Sequence, residues 1–277
     1  MHAPKTPSIE RRYERIMNNP DFIDRYGPVA LVTGASSGIG RSFAELLAAK
    51  GLDLVVIARR SQRLDELAAR LKTAHGVRVT VHQSDLAQAS AAQAIVDATS
   101  SLDIGLLVSN AGFGLKGPFD EGNAKAMADM LMVNCHAPMM LARGFIPRLR
   151  ARRKGGIIFT SSVEGLMGVP FSAAYAATKG FLNSLGEGLW GELTPQGINV
   201  LTLCPGATDT EAAGLQGIDT KTLANVMSPD EVAARTLENL SNGPVYIASD
   251  HYKASFERLL AMPRRDALLA MARSMRR

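Results

Sequence analysis

Short apolar runs rich in β-branched residues alternate with longer amphipathic stretches from residue 28 onward. Each run has the length of a strand, and several are apolar throughout, which is typical of parallel strands buried on both faces. The stretches between them repeat apolar residues at helical spacing. This alternation predicts an α/β fold, a single-domain doubly wound parallel sheet with helices on both faces. The predicted strands are VALVT (29–33), LDLVVIA (52–58), VRVTV (77–81), IGLLVSN (104–110), GIIFTSS (156–162), INVLTLC (198–204) and PVYIA (244–248).

Two terminal segments lie outside this alternation. Residues 1–27 are predicted to be an N-terminal extension with one amphipathic helix that packs on the main body, residues 28–250. Residues 251–277 form a basic amphipathic tail, which is predicted to be a packed helix with a solvated face. Peripheral contact with an anionic membrane surface is the alternative for this tail. The apolar positions of the N-terminal helix are Ile9, Tyr13, Ile16 and Met17.

Composition narrows the class of protein. The 277 residues are 46% hydrophobic and 21% charged, which excludes collagen-like, coiled-coil and wholly disordered chains. No apolar run approaches the roughly 18–20 residues that a membrane span needs, and the start lacks the apolar stretch of a signal peptide. Two cysteines are too few for a disulfide framework, so a cytoplasmic protein is expected. The net charge is +5, but basic and acidic residues are mixed through most of the chain. No nucleic-acid partner is therefore predicted.

A glycine-rich turn, TGASSGIG, follows the first predicted strand and precedes a predicted helix. Gly34 allows a tight turn, Gly38 lets the backbone approach a pyrophosphate, and Gly40 permits close packing of helix on strand. The unpaired N–H groups at the helix start would face the phosphates. A purely structural turn is the alternative. Its position after the first strand favours a Rossmann-like dinucleotide site.

The end of the second predicted strand indicates which dinucleotide binds. NAD sites usually place an acid there for the ribose 2′-hydroxyl. Here the strand ends in Ile57-Ala58-Arg59-Arg60, and a guanidinium suits a 2′-phosphate instead. We therefore predict NADP(H) rather than NAD(H), with Arg59 as the more favoured contact. The alternative is that both arginines are surface charges at the start of a helix.

Three residues further along the chain predict a catalytic site. Tyr175 and Lys179 are four positions apart in FSAAYAATKG and so share a helical face. A neighbouring ammonium favours the phenolate, which would bring the tyrosine closer to a useful pKa. Ser162 closes a predicted strand, where its hydroxyl could hold a substrate carbonyl oxygen beside Tyr175. Each residue alone is more often structural, but together they predict acid–base chemistry next to the dinucleotide.

At this point residues 28–250 resemble the short-chain dehydrogenase/reductase family in its short single-domain branch. TGASSGIG matches the family's TGxxxGxG turn, SNAG stands for its NNAG, and CPGATDT matches its PGxxxT segment. Ser162, Tyr175 and Lys179 match the catalytic serine, tyrosine and lysine. The resemblance implies hydride transfer between nicotinamide and a carbonyl carbon while Tyr175 gives or takes the proton. Lys179 would bind the nicotinamide ribose. Asn134 is the fourth catalytic residue that the resemblance implies, and it would connect Lys179 through water to solvent.

The resemblance also assigns cofactor contacts and an assembly. Asp85 matches the acid that usually contacts adenine, and Thr210 would contact the nicotinamide carboxamide. Family members pair through the helices predicted near 123–153 and 171–193, so a homodimer or homotetramer is implied. No metal site is predicted. The predicted cofactor-binding residues are Gly34, Ser36, Ser37, Gly38, Ile39, Gly40, Arg59, Asp85, Leu86, Asn110, Tyr175, Lys179, Pro205, Gly206, Thr208 and Thr210.

These features predict an NADPH-dependent oxidoreductase that reduces a ketone or aldehyde. Apolar residues after the fourth and fifth strands, with a mobile segment at 207–227, favour an apolar or lipid-like carbonyl substrate. Glu164 lies where the family commonly has a small residue, and we expect it to face solvent rather than to select a polar or cationic substrate. Alternatives are an alcohol dehydrogenase working in the oxidative direction, a nucleotide-sugar epimerase, and a catalytically silent NADP-binding regulatory protein.

Overall fold

The computed structural model describes residues 20–215 and 219–275. Its centre is a sheet of seven parallel strands in the order β3-β2-β1-β4-β5-β6-β7, which confirms the predicted doubly wound fold. Strand order reverses between β1 and β4, so ligands are expected at the carboxyl ends of these two strands. The strands are β1 Val29–Thr33, β2 Asp53–Ala58, β3 Val79–Gln83, β4 Ile104–Ser109, β5 Gly155–Thr160, β6 Ile198–Leu203 and β7 Val245–Tyr246.

The helices cover both faces of the sheet. Ala30 and Val32 of β1 join one buried cluster, whereas Val29 and Leu31 join the cluster on the opposite face. This alternation explains why the strand is apolar throughout, because each face packs against helices. The helices are α1 Asp21–Tyr26, α2 Gly38–Ala49, α3 Ser61–His75, α4 Ala91–Ala98, α5 Ala124–Leu131, α6 Ala137–Arg152, α7 Ala173–Leu193, α8 Glu211–Leu215, α9 Pro229–Glu238, α10 Asp250–Ala261 and α11 Arg264–Met275.

The terminal segments differ in detail from the predictions. The expected helix through Ile9, Tyr13, Ile16 and Met17 lies outside the described residues, but α1 packs on the sheet through buried Phe22 and Tyr26. The tail forms two helices rather than one, since Pro263 separates α10 from α11.

The tail packs against the body of the protein. Phe256 and Ala267 are buried with Val163, Met167 and Cys204, so the tail covers the region that follows β5 and β6. In the part of the chain that the structure describes, no helix is both long enough and apolar enough to cross a membrane.

Candidate active site

The predicted site residues gather at the carboxyl edge of the sheet, where the strand order reverses. Asn110, just after β4, connects three strands there. Its side-chain amide donates to the Thr33 carbonyl at 3.2 Å, and its Oδ1 accepts from the Thr160 hydroxyl at 3.2 Å. The Thr33 hydroxyl accepts from the Asn110 backbone N–H at 3.0 Å. These hydrogen bonds hold the ends of β1, β4 and β5 together at the base of the site.

The turn between β1 and α2 has the backbone that a dinucleotide requires. Gly34 and Gly38 have φ values of +69° and +53°, a backbone conformation that residues other than glycine rarely adopt. A Cβ at Gly40 would lie 2.4 Å from both the Gly34 carbonyl oxygen and Asn110 Nδ2. The first turn of α2 carries no acidic residue, so its N–H groups can face an anion. The turn therefore fits a pyrophosphate.

The arginine that contacts this turn is Arg60, whereas the sequence analysis favoured Arg59. The Arg60 guanidinium donates to the Ser36 hydroxyl at 3.0 Å and to the Ser37 hydroxyl at 2.9 Å. Arg59 is exposed, and its carbonyl accepts from the Gln83 side chain at 3.0 Å. Because β2 ends at Ala58, the alternation of side chains no longer determines where the next two point. The Glu211 carboxylate, which no sequence motif pointed to, lies 2.8 Å from Arg60 Nη1.

Three of the four residues predicted to be catalytic, Ser162, Tyr175 and Lys179, are neighbours in the fold. Tyr175 and Lys179 lie on α7, and Lys179 Nζ is 5.6 Å from the centre of the Tyr175 ring. Lys179 Nζ donates to the Thr160 carbonyl at 2.9 Å. Ser162 follows β5 and hydrogen-bonds the Tyr175 phenol. Its hydroxyl also accepts from the Glu164 N–H at 3.1 Å, which caps a short 3₁₀ turn and orients Ser162.

The electrostatics of this group differ from the prediction. Burial raises the pKa of Tyr175 far above its usual value, the Glu164 charge raises it further, and the hydrogen bond from Ser162 only partly opposes them. The net pKa shift of the phenol is therefore upward, opposite in direction to the shift expected from Lys179 alone. Burial lowers the pKa of Lys179 to about 8. At neutral pH the phenol is protonated and suited to donate a proton.

Asn134 lies in a π-helical turn, Met132–His136, between α5 and α6, and is fully buried. Its amide donates to the Phe113 carbonyl at 2.8 Å and to the Thr178 hydroxyl at 3.0 Å, and its Oδ1 accepts from the Phe113 N–H at 3.1 Å. A Cβ at Gly112 would lie within 3.1 Å of both Asn134 Oδ1 and Lys179 Nζ. Asn134 thus holds the loop after β4 against α7, beside Lys179. The π-turn breaks regular helical spacing at this point.

Glu164 does not face solvent, so the expectation of a solvated carboxylate is wrong. One oxygen lies 2.5 Å from Lys116 Nζ, and the other accepts from the Ser172 hydroxyl at 2.5 Å. Both charged side chains are about four-fifths buried, with exposed fractions of 18% for Lys116 and 21% for Glu164. The 3₁₀ turn directs Glu164 inward, so that it joins the loop after β4 to the start of α7. The pair forms a polar wall near Tyr175.

Tyr252 is a site residue that sequence reasoning missed. It lies on α10, and a Cβ at Gly206 would come within 2.1 Å of its ring. Burial raises the pKa of Tyr252, although its bond with the Ala207 backbone opposes this shift. The glycine of the CPGATDT segment is therefore needed partly because this ring packs on it. A position in a tail beyond the last strand carried no sequence signal for this contact.

The remaining predicted cofactor residues lie around the same edge. Thr210 packs beside Gly38, whose added Cβ would lie 3.0 Å from Thr210 Cγ2. Thr208 is buried, and its hydroxyl donates to the Gly206 carbonyl at 3.1 Å. Asp85 follows β3, where it caps a turn by accepting from the Ala87 N–H at 3.1 Å. Buried Leu86 and half-buried Ile39 pack into the two cores, and the Pro205 carbonyl accepts from Val163 at 3.1 Å.

The chain is similar in sequence and in fold to several known proteins. A family model described as short chain dehydrogenase matches residues 28–219. The chain is 28% identical over 254 residues to a 7beta-hydroxysteroid dehydrogenase of Clostridium sardiniense, covering 91% of this chain and 97% of that protein. It is similar to a short-chain dehydrogenase from Sphingobium yanoikuyae in complex with NADPH, with 37% identity, a TM-score of 0.78, and coverage of 88% and 95% of the two chains. A bulky-bulky ketone specific alcohol dehydrogenase from Comamonas testosteroni shares 36% identity, with a TM-score of 0.73 and coverage of 88% and 94%.

Proposed function

The chain belongs to the short-chain dehydrogenase family, and from that premise we propose that it is an NADPH-dependent reductase of bulky, apolar ketones or aldehydes. The observation that carries the proposal is the grouping of Ser162, Tyr175 and Lys179 beside the glycine turn. A chain that only bound a dinucleotide would not need a protonated phenol, a serine hydroxyl and a buried amine in contact. The family's oxidoreductase chemistry at a CH–OH or C=O group therefore applies to this chain.

The cofactor proposal rests on the charge beside the glycine turn. The end of β2 carries no acid for a ribose 2′-hydroxyl, while Arg60, Ser36 and Ser37 together offer donors for a 2′-phosphate. Similarity to the Sphingobium protein in complex with NADPH supports the binding of NADP(H). NADP(H), when bound, would supply or accept the hydride. Lys179 would hold the nicotinamide ribose, and Gly34, Gly38 and Gly40 the pyrophosphate.

The residues of this chain have separate tasks in the proposed reaction. Tyr175 donates its phenolic proton to the carbonyl oxygen, since its raised pKa keeps it protonated at neutral pH. Ser162 orients that oxygen by donating its hydroxyl proton, while its own oxygen accepts from the Glu164 N–H. Asn134 positions the loop after β4 against Lys179. A protonated phenol favours reduction over alcohol oxidation as the working direction.

The substrate proposal rests on what surrounds Tyr175. The half-buried apolar residues Phe113, Leu115 and Leu166 follow β4 and β5, at the same edge of the sheet. Two similar proteins, the steroid dehydrogenase and the bulky ketone dehydrogenase, are named for large ketones or alcohols. The Lys116–Glu164 pair adds one polar patch within these surroundings. We therefore propose a large apolar carbonyl compound that carries a polar group away from the reacting carbon.

Consumption of NADPH in the presence of candidate ketones tests the function. We expect oxidation of NADPH with bulky bicyclic, steroidal or long-chain ketones, and slower oxidation with acetone or pyruvate. Formation of one alcohol for each NADPH consumed would identify the reaction. Tight NADPH binding without turnover of any carbonyl compound would favour the silent regulatory protein instead.

The low pKa of Lys179 predicts a pH dependence of reduction. This pKa lies at about 8, below the usual 10.5, so the amine loses its proton as the pH rises through 8. The ammonium form of Lys179 stabilises negative charge near the phenol, and the neutral amine does not. We therefore expect kcat/KM for reduction to fall above about pH 8. Lys179→Arg, whose charge persists at every usable pH, should be less active but lose this alkaline decline. A wild-type profile that stays flat to pH 10 would contradict this role.

Replacement of Arg60 tests the cofactor preference. We expect Arg60→Ala to raise the Kd for NADPH about ten- to a hundredfold, the worth of a charge-assisted hydrogen bond. The Kd for NADH should change less than about twofold, since NADH has no phosphate at this position. Fluorescence titration of both nucleotides measures the two constants. Arg59→Ala is the matched variant, and a larger effect there would return the contact to Arg59.

The assembly and compartment are also proposed. Leu131 and Phe181 lie on α5 and α7, within the helices through which related proteins are expected to pair, and they are exposed by 54% and 37%. Burial of such side chains against a second copy would be favourable, so we propose a homodimer or homotetramer. Cys135 and Cys204 are both free thiols, which favours the reducing cytoplasm.

A further inference from the structure

A carboxylate lies between two arginines at the edge of the glycine turn. Glu211 is the first residue of α8, directly after Thr210. Its Oε2 lies 2.8 Å from Arg60 Nη1, and its Oε1 lies 2.5 Å from Arg63 Nη1. All three side chains are close to half-exposed, with exposed fractions between 44% and 46%. A single acid thus bridges two cations on a face that solvent reaches.

The same arginine contacts the serines of the turn. The second terminal nitrogen of Arg60, Nη2, donates to Ser36 and Ser37, so each hydroxyl accepts a bond and keeps its own proton to donate. Ser36, Ser37, Arg63 and Glu211 line one pocket, and Arg60 contacts both serines and Glu211. The pocket therefore offers two hydroxyls and two guanidinium groups as donors. This is the donor set that a phosphate monoester prefers. Glu211 engages the two arginine nitrogens of that set.

We propose that Glu211 is an internal substitute for the 2′-phosphate of NADP(H), so that the nucleotide must displace this carboxylate from Arg60 and Arg63 as it binds. The inference rests on the proposed NADP(H) preference and goes beyond it, because it gives Glu211 the role of weakening NADP(H) binding. NADH carries a hydroxyl at the same ribose position and does not need to displace Glu211.

The energetics allow this exchange. Exposed ion pairs contribute little, so the carboxylate is held weakly enough to be displaced. A phosphate monoester carries a charge of about −1.5 to −2 at pH 7, more than one carboxylate, and it can also accept from the two serine hydroxyls. The arginines lower the pKa of Glu211 to about 2, so the competing charge persists throughout the useful pH range. Acidification within that range does not relieve the competition.

The exchange also acts on the segment that follows β6. Residues 211–215 form α8, and Glu211 joins this helix to α3 and the glycine turn. Release of Glu211 frees α8 from that face while Thr210 remains beside Gly38. Occupancy of the phosphate position is thereby connected to the freedom of the chain next to the site.

Nucleotide titration of two single-charge variants tests the proposal. We expect Glu211→Gln to lower the Kd for NADPH about three- to tenfold, and that for NADH less than twofold. The control is Glu66→Gln, which removes the same charge from the pocket that Ser36, Ser37, Arg63 and Glu211 also line. Glu66 accepts from the Gln62 side chain at 3.1 Å. An unchanged Kd for Glu211→Gln, or an equal gain in Glu66→Gln, overturns the proposal. Failure of the wild type to bind NADPH would instead refute the proposed function, and the inference with it.

Hydrogen exchange at the backbone amides of 211–215 gives an independent readout. With 2′-AMP, which carries the phosphate but no nicotinamide, we expect faster exchange of these amides in the wild type. The isomer 5′-AMP should leave their exchange unchanged, and Glu211→Gln should exchange rapidly with either nucleotide. Equal effects of the two isomers on the wild type would contradict displacement of Glu211.

Discussion

Tyr175→Phe should lower kcat for ketone reduction about 10²–10⁴-fold, the usual contribution of a positioned general acid. The substitution removes only the hydroxyl that Ser162 contacts and keeps the ring beside Lys179. The Kd for NADPH should therefore change less than about twofold, because no phosphate contact is lost. Steady-state kinetics and fluorescence titration of the purified variant give the two numbers.

Tyr26→Phe is the matched control for this loss. Tyr26 is also a buried tyrosine with a hydrogen-bonded hydroxyl, 2.8 Å from Asn199 Oδ1, but it packs at the opposite end of the strands, against Gly105 and Gly156. Removal of the Tyr26 hydroxyl should lower the free energy of unfolding by about 1 kcal/mol and leave kcat within about twofold of the wild-type value. A Tyr175→Phe enzyme that retains more than a tenth of wild-type kcat would exclude the phenol as the proton donor.

Gly40→Ala should weaken NADPH binding about ten- to a hundredfold, the second large effect that we expect. The added Cβ would meet the Gly34 carbonyl and Asn110 Nδ2 at 2.4 Å, and neither can move without changing the turn or the end of β4. The same crowding should lower the free energy of unfolding by about 1–3 kcal/mol. Isothermal titration below the melting temperature separates weak binding from unfolding.

Gly188→Ala makes the same chemical change elsewhere. Gly188 lies within α7, and no heavy atom outside its local helix lies within 4 Å of an added Cβ. Alanine should raise the free energy of unfolding by about 0.5–1 kcal/mol there, and NADPH affinity should not change. Normal NADPH affinity in Gly40→Ala would mean that the turn does not hold the pyrophosphate.

The fold followed from the sequence because its strands are buried on both faces. Parallel strands such as Val29–Thr33 must be apolar at every position, and that pattern is visible without knowledge of tertiary contacts. The positions of Tyr175 and Lys179 were predictable for a similar reason, since helical spacing alone places them on one face. The last strand was harder to predict, and it has only two residues, Val245–Tyr246.

Side chains in connections could not be placed from the sequence. Arg59 and Arg60 are adjacent at a strand end, and only the path of the chain into α3 decides which one reaches Ser36 and Ser37. Glu164 has the sequence character of a surface glutamate, yet it is buried because Lys116 comes from a distant loop. Tyr252 reaches the site from the tail by a contact that has no periodic signature. These residues determine the charge and the contacts around the site. The sequence therefore predicted the class of reaction but not these features of the site.

Transfer of deuterium from NADPH labelled at C4 of the reduced ring tests the central claim most directly. The wild type should convert a bulky ketone into an alcohol that carries the deuterium on the former carbonyl carbon, while its hydroxyl proton comes from the medium. Mass spectrometry and NMR of the product locate the label. Deuterium at that carbon, with product formation lost in Tyr175→Phe, is the predicted result. An alcohol without deuterium, obtained with either face of the ring labelled, would contradict the account.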